Sequence, residues 1–195
     1  MHRLWIPALL AALALAGCGR SASTGTLEGA LFPPTEPVHD FVLPDQDGAA
    51  VSLASLRGHV VVLTFLDAVN RSDSVVLADQ IRGALGLLGE PARELPVLAV
   101  SVDPARDTAA AARAFLSATG LSGRMSFLVG SPGQLTAVWK QYAIAPQTAS
   151  DPVHNENSSE EVYLLDRGGR VREGYPIAVL TPGLLAHDIR VLQAG

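Results

Sequence analysis

Two runs made almost entirely of apolar and β-branched residues constrain the fold of this chain most strongly. They cover residues 60–66 and 96–102. Runs of this length and composition are typical of strands that are buried on both faces, as in a parallel sheet. Between them, residues 73–88 repeat apolar side chains at helical spacing, namely Leu77, Ile81, Ala84, Leu85 and Leu88. The order strand, helix, strand predicts an α/β fold with a parallel core.

The alternation of strands and helices continues beyond the second run. Asp107 is placed to cap a helix that extends to Thr119, and Gly120 follows as its C-terminal cap. The predicted buried stripe of this helix is Ala111, Ala114, Phe115 and Ala118. A third helix opens at Ser131, where Ser, Pro and Gln form a capping box, and its predicted core face is Leu135, Val138, Trp139 and Tyr142.

Hairpins are predicted on both sides of this α/β core. Short apolar segments at 41–43 and 51–53 flank a turn at 45–48. A second hairpin starts at 162–166, after a long polar loop at 143–160, and a last helix follows from Thr181. Loops of this length in compact domains are usually functional or mobile.

The N-terminus has the features of an export signal. Arg3 precedes an apolar run at 4–16, and the sequence Leu15-Ala16-Gly17 comes directly before Cys18. This order resembles the lipobox of bacterial lipoproteins, in which the cysteine is acylated after cleavage. We therefore expect residues 1–17 to be a signal peptide and Cys18 to anchor an extracytoplasmic chain to the membrane of a bacterial cell envelope.

Composition divides the remaining chain and excludes some functions. Residues 18–37 are rich in Gly, Ser, Thr and Pro, as in a flexible linker, and residues 38–195 form one predicted domain. Cys18 is the single cysteine of the chain, so we expect no thiol enzyme in the domain, because such chemistry needs a thiolate. The net charge of −5 and the lack of a basic cluster argue against a nucleic-acid partner.

Several motifs of the predicted domain resemble the Sco (SenC-type) family. The clearest are Ser101-Val102-Asp103-Pro104 with Arg106-Asp107-Thr108, Phe127 to Pro132, Val138 to Tyr142, and Val162 to Asp166. The resemblance implies a thioredoxin-like fold, with a central mixed sheet flanked by helices and an N-terminal β-hairpin. It also implies a membrane-tethered copper protein that helps to metallate or assemble cytochrome c oxidase. Its implied partners are an oxidase subunit or another Sco protein.

The ligands that this resemblance implies are missing from the sequence. Family members bind copper(I) through two cysteines of a C-x-x-x-C motif and a later histidine, a set whose softness suits that ion. The positions that match the cysteines are Asn70 and Ser74, and the position that matches the histidine is Ser158. His154 lies four residues earlier and can serve only if the loop carries an insertion. We therefore assign no cofactor from the residues, and copper is implied by the family alone.

Three other functions remain open from the sequence. The chain could be a metal-free interaction module that binds a membrane partner through the surface around Asn70 and the 143–160 loop. Oxygen and imidazole ligands from Asp67, Asp73 and His154 could bind a harder divalent ion. A hydrolytic triad of Ser72 or Ser74 with His154 and Asp103 is the weakest option, because both serines are more simply explained as helix N-caps.

Overall fold

The computed structural model describes residues 25–31, 38, 40–69, 72–142, 144 and 161–195. Its strands are β1 (Ala30–Leu31), β2 (Val42–Pro44), β3 (Ala50–Ser52), β4 (Val61–Leu66), β5 (Val97–Ser101), β6 (Ser126–Leu128), β7 (Glu161–Leu165) and β8 (Val171–Pro176). Its α-helices are α1 (Ser72–Leu88), α2 (Ala109–Ala118), α3 (Pro132–Gln141) and α4 (Pro182–Ala194). Single 3-10 turns cover Ala54–Leu56 and Glu90–Ala92.

The central sheet is mixed and has the order β1-β8-β7-β4-β5-β6. Strand β4 pairs parallel with β5 and antiparallel with β7, while β5 pairs parallel with β6. Strands β2 and β3 form a separate antiparallel hairpin. The predicted thioredoxin-like arrangement is confirmed, and the two apolar runs are interior strands of the sheet.

Strands β4 and β5 are buried along their whole length because layers cover both faces of the sheet. Val62 and Leu66 face the core that contains α1, α2 and α4. Leu63 and Phe65 face the other core, which contains α3 and the N-terminal hairpin. A strand between two apolar layers favours apolar side chains on both faces, which explains the nearly continuous apolar run in the sequence.

The start of α2 differs from the sequence-based prediction. The N-cap is Thr108, whose Oγ1 accepts a hydrogen bond from the N–H of Ala111 at 3.2 Å. The prediction that Asp107 is the cap is wrong. Its carboxylate points into the interior, where it accepts hydrogen bonds from Ala68 and Ser101. The buried face of α2 shifts with this start to Ala112, Phe115 and Leu116. Gly120 follows the helix with a positive φ of 70°, a conformation that favours glycine.

Part of the predicted linker lies against the domain. Strand β1 pairs antiparallel with β8 at the edge of the sheet, with Ala30 opposite Gly174. The rest of residues 25–31 lies near α4, because the backbone of Glu28 and Gly29 is hydrogen bonded to Asp188. The division of the chain at residue 37 therefore remains a prediction, and residues 25–31 of the predicted linker contact the domain.

Candidate functional site

The candidate site lies at the carboxyl ends of the parallel strands β4 and β5. These strands are in register at their last residues, Leu66 opposite Ser101. Asp67 directly follows β4, and Asp103 comes two residues after the end of β5. Ligand sites of open α/β sheets are commonly found outside the carboxyl ends of adjacent strands. The positions that resemble the family's C-x-x-x-C motif lie between β4 and the first turn of α1.

Ser74 is the described member of that pair of positions. Its side chain is buried, and its Oγ accepts a hydrogen bond from the backbone N–H of Asp67 at 3.0 Å. The hydroxyl therefore joins the first turn of α1 to the end of β4. The prediction that Ser74 caps a helix is wrong, because it is the third residue of α1 and its hydroxyl contacts the preceding strand end.

The other predicted site residues lie outside the described part of the chain. These are Asn70, His154 and the lipidation residue Cys18. Ser158, the position that matches the family's histidine, is outside it too. The divalent-ion site and the hydrolytic triad both need His154, so both remain predictions.

Three buried carboxylates surround the strand ends. Asp67, Asp103 and Asp107 are at most 3% exposed. Arg106 bridges two of them, since its Nε contacts Asp103 and its guanidinium lies 3.4 Å from Asp67 Oδ2. This pairing with Asp103 raises the pKa of Arg106, so that the guanidinium stays charged. The group contains three carboxyl groups and one guanidinium, so its net charge is negative when all four are ionised.

Asp107 occupies the centre of this network. Its Oδ1 accepts the N–H of Ala68 at 2.8 Å, and its Oδ2 accepts the hydroxyl of Ser101 at 2.6 Å. The N–H of Asp103 is 3.3 Å from the same Oδ2. Burial raises the pKa of Asp107 to about 6, with a smaller contribution from the charge of Asp67, while the hydrogen bonds oppose the rise.

Aromatic side chains pack in the core between the sheet and α3, next to the strand ends. The indole Nε1–H of Trp139 donates to the carbonyl oxygen of Ser101 at 2.9 Å, which ties α3 to the end of β5. Phe65, Tyr142 and Tyr163 form a contiguous group with ring centroids 5.2–6.1 Å apart. In the sequence, Tyr142 follows α3 and precedes the segment that contains His154, and Tyr163 of β7 comes after that segment.

The roles of Ser101 and Arg106 in this network could not be predicted from local sequence patterns. Ser101 lies inside an apolar run, and only the pairing of β5 shows that its hydroxyl meets Asp107. Arg106 belongs to a motif that resembles the family, but its bridge to Asp67 joins residues 39 positions apart, which no local pattern indicates. A single polar residue at the end of a buried strand was the available signal for Ser101.

The donor set that the described residues present is one of hard oxygens. Within those residues, no three His, Cys, Asp or Glu side chains are arranged to hold a metal ion. Ser74 offers a hydroxyl oxygen, and Arg106 pairs with two of the acids. Carboxylate and hydroxyl oxygens suit hard ions and compete poorly for copper(I). The described part of the site therefore does not fit copper(I).

Comparison with known proteins gives the family. The SCO1/SenC family model matches residues 32–193. The chain belongs to the SCO1/SenC family. No curated protein matches the sequence. In the described part of the chain, no helix combines the length and apolar character needed to cross a membrane.

Solved structures share the fold over most of the chain. Bradyrhizobium japonicum ScoI with copper bound is 26% identical, with 80% of this chain and 99% of that chain covered and a TM-score of 0.68. Apo Sco1 from Thermus thermophilus is 22% identical, with 87% and 99% covered and a TM-score of 0.72. A SCO1/SenC family lipoprotein from Bacillus anthracis is 21% identical, with 84% and 99% covered and a TM-score of 0.64.

Proposed function

We propose that this protein is an extracytoplasmic lipoprotein that acts in copper handling or cytochrome c oxidase assembly without holding copper(I) through thiolates. Membership of the SCO1/SenC family and the likeness to a copper-bound ScoI support the general role. The observation that carries the specific proposal is the buried hydroxyl of Ser74, hydrogen bonded to Asp67 where the family resemblance expects a cysteine.

Ligand chemistry is the reason for separating this protein from thiolate copper carriers. Thiolates bind copper(I) because both partners are soft, and a neutral hydroxyl or amide is a poor replacement. Removing both cysteines also removes the dithiol–disulfide couple. The domain contributes no thiol to a partner, so we propose that it has no thiol redox activity and acts through protein contact.

The alternative is a metal-free interaction module on the same fold. Val69 and Val76 are 44% and 43% exposed. Val69 adjoins Asn70, the first of the two positions that match the C-x-x-x-C motif, and Val76 lies one turn into α1. If a partner binds around Asn70, these two exposed apolar side chains are the described residues that would contact it. An oxidase subunit or another Sco protein held at the same membrane is the partner class that the family implies.

A copper(I) titration tests the central claim. The mature chain carrying Cys18→Ser would compete with a copper(I) chelator, and we expect no tight one-to-one complex. A tight complex that His154→Ala weakens would overturn the proposal. As a positive control, the double variant Asn70→Cys, Ser74→Cys should gain copper(I) binding if His154 reaches the pair.

A crosslinking experiment separates the assembly role from the alternative. A photoreactive residue at Val76 of the lipidated chain would be activated in native membranes, with Leu87 as a matched exposed apolar control on the same helix. Capture of an oxidase subunit or a cysteine-bearing Sco protein from Val76 alone supports the assembly role. Capture of an unrelated membrane protein supports the interaction module, and equal labelling from Leu87 contradicts a specific surface.

A further inference from the structure

Residues 25–31, which we call the N-terminal strap, are fastened to the domain by a buried carboxylate. Asp188 of α4 is fully buried. It accepts hydrogen bonds from the backbone N–H groups of Glu28 and Gly29 at 3.1 Å and from the hydroxyl of Tyr175 at 2.6 Å. The strap continues into β1, where Leu31 is opposite Glu173 of β8. The strap therefore lies against two acidic residues of the domain, Asp188 and Glu173.

Glu173 is buried beneath this strap without a hydrogen-bond partner. Its exposed fraction is 0%, and neither carboxylate oxygen has a partner in the described structure. Gly29 lies directly over it, since a Cβ at that position would be 2.6 Å from Glu173 Oε2 and 2.5 Å from Tyr175 Cε1. Lifting the strap would open this side of Glu173 to water.

A buried carboxylate with no partner is far more costly when it is ionised than when it is protonated. Asp188 has hydrogen-bond donors at both carboxylate oxygens and Glu173 has none, so protonation is favoured at Glu173. Burial raises the pKa of Glu173 to about 7, and the charge of Asp188 adds to the rise. Ionisation of Glu173 beside Asp188 would place two like charges under the strap.

The other groups around Glu173 do not cancel this effect. From its own strand, Arg172 favours the ionised form, as the smallest of the three influences. On the neighbouring strand β7 its opposite residue is the apolar Leu164. The strap contributes Glu28, whose carboxylate is 61% exposed, and α4 contributes His187, whose Nε2 is 3.7 Å from Glu28 and 3.9 Å from Asp188.

We propose that the N-terminal strap is a pH-sensitive latch, docked while Glu173 is protonated and released when Glu173 ionises. The direction follows from linkage. The docked state binds the proton more tightly than the open state, so docking is strongest below the ordinary carboxyl range and weakens as the pH rises toward neutrality. Between pH 5.5 and pH 8 we expect the opening equilibrium to increase by roughly 10- to 30-fold.

Release would change the reach of the chain from its anchor. The strap contains seven residues, 25 to 31, and an extended residue spans about 3.3–3.6 Å. Freeing the strap therefore adds up to about 25 Å between the domain and Cys18. This consequence rests on the lipid anchor of the proposed function, whereas the latch itself does not.

Hydrogen exchange of the strap tests the latch directly. The mature chain in detergent would be labelled with deuterium at pH 5.5 and pH 8, and exchange of the 25–31 amides would be corrected for the intrinsic effect of pH. Protection should fall with rising pH in the native chain. In Glu173→Gln, a neutral isostere, protection should remain high at both values. Equal protection of the native strap at both pH values would overturn the proposal.

Matched variants identify the titrating group. His187→Gln and Glu28→Gln should both keep the pH dependence, because neither residue is the buried acid. If His187→Gln abolishes it, the imidazole is the sensor and the assignment to Glu173 is wrong. Gly29→Ala should lower protection at both pH values by blocking the approach to Tyr175, and a strap that stays protected in this variant contradicts the docked geometry.

Discussion

Asp107 offers the sharpest test of how the candidate site is held together. Its carboxylate joins three segments, since it accepts from Ala68 after β4, from Ser101 at the end of β5 and from Asp103 beyond it. Asp107→Ala would leave the amide of Ala68 and the hydroxyl of Ser101 buried with no acceptor from this side chain. Each unsatisfied buried polar group costs about 1–3 kcal/mol. We expect Asp107→Ala to lower the free energy of unfolding by roughly 3–5 kcal/mol at pH 7.

Asp107→Asn should be less damaging, because the amide keeps an oxygen for the N–H of Ala68 and can donate to Ser101 Oγ. The N–H of Asp103 also lies 3.2 Å from Ser101 Oγ, so it keeps an acceptor. The variant also removes a charge that burial disfavours. We expect a loss of about 1–2 kcal/mol at pH 7 for this variant.

The pH dependence gives a second, independent number. The native state raises the pKa of Asp107 from 3.8 to about 6. A raised carboxyl pKa means that the folded protein binds the proton more tightly, so this group stabilises the fold at low pH and loses that stabilisation as the pH rises from about 4 to 6. On lowering the pH from 7 to 5, Asp107 should add about 1 kcal/mol of stability that Asp107→Asn cannot gain.

Urea unfolding of the native chain and both variants at pH 7 and pH 5 measures these quantities. Glu173 also titrates near neutral pH, but it is present in all three proteins and cancels in the differences. The reasoning is refuted if Asp107→Asn is as damaging as Asp107→Ala at pH 7. It is also refuted if the gap between the native chain and Asp107→Asn does not widen at pH 5.

Two further predictions concern the anchor and the aromatic group. Cys18→Ser should move the chain from the membrane to the soluble fraction on cell fractionation, and retention at native levels would contradict lipidation. Tyr142→Phe should leave the domain as stable or stabilise it by about 1 kcal/mol in thermal unfolding, because the buried hydroxyl of Tyr142 has no hydrogen-bond partner in the described structure while its ring packs on Phe65 and Tyr163. A loss above 2 kcal/mol would show that the hydroxyl is satisfied.

The elements of the fold could be predicted from local patterns. The helical spacing of Leu77, Ile81 and Leu85 gave the buried face of α1, and the capping box of Ser131 and Gln134 marked the start of α3. Patterns of this kind involve residues only a few positions apart, so they can be recognised in the sequence alone. The apolar runs gave the two central strands for the same reason.

The family and the loss of its cysteines were also readable from the chain itself. Motifs around Asp103 and Asp166 carried the resemblance that the match over residues 32–193 confirms. The absence of a cysteine after Cys18 is a property of composition. It limits soft-metal chemistry whatever the geometry, because no fold supplies a thiolate that the chain lacks.

Only the tertiary structure decided which polar groups meet. Asp107 has the sequence features of a helix cap, yet its carboxylate is buried. Ala68 and Ser101, at neighbouring strand ends, donate the hydrogen bonds that replace those of water. The strap was predicted as linker because its composition is that of one, yet Asp188, about 160 positions away, satisfies its amides. Hydrogen-bond partners and buried charges are set by contacts between distant segments, and a local sequence pattern carries no information about such contacts.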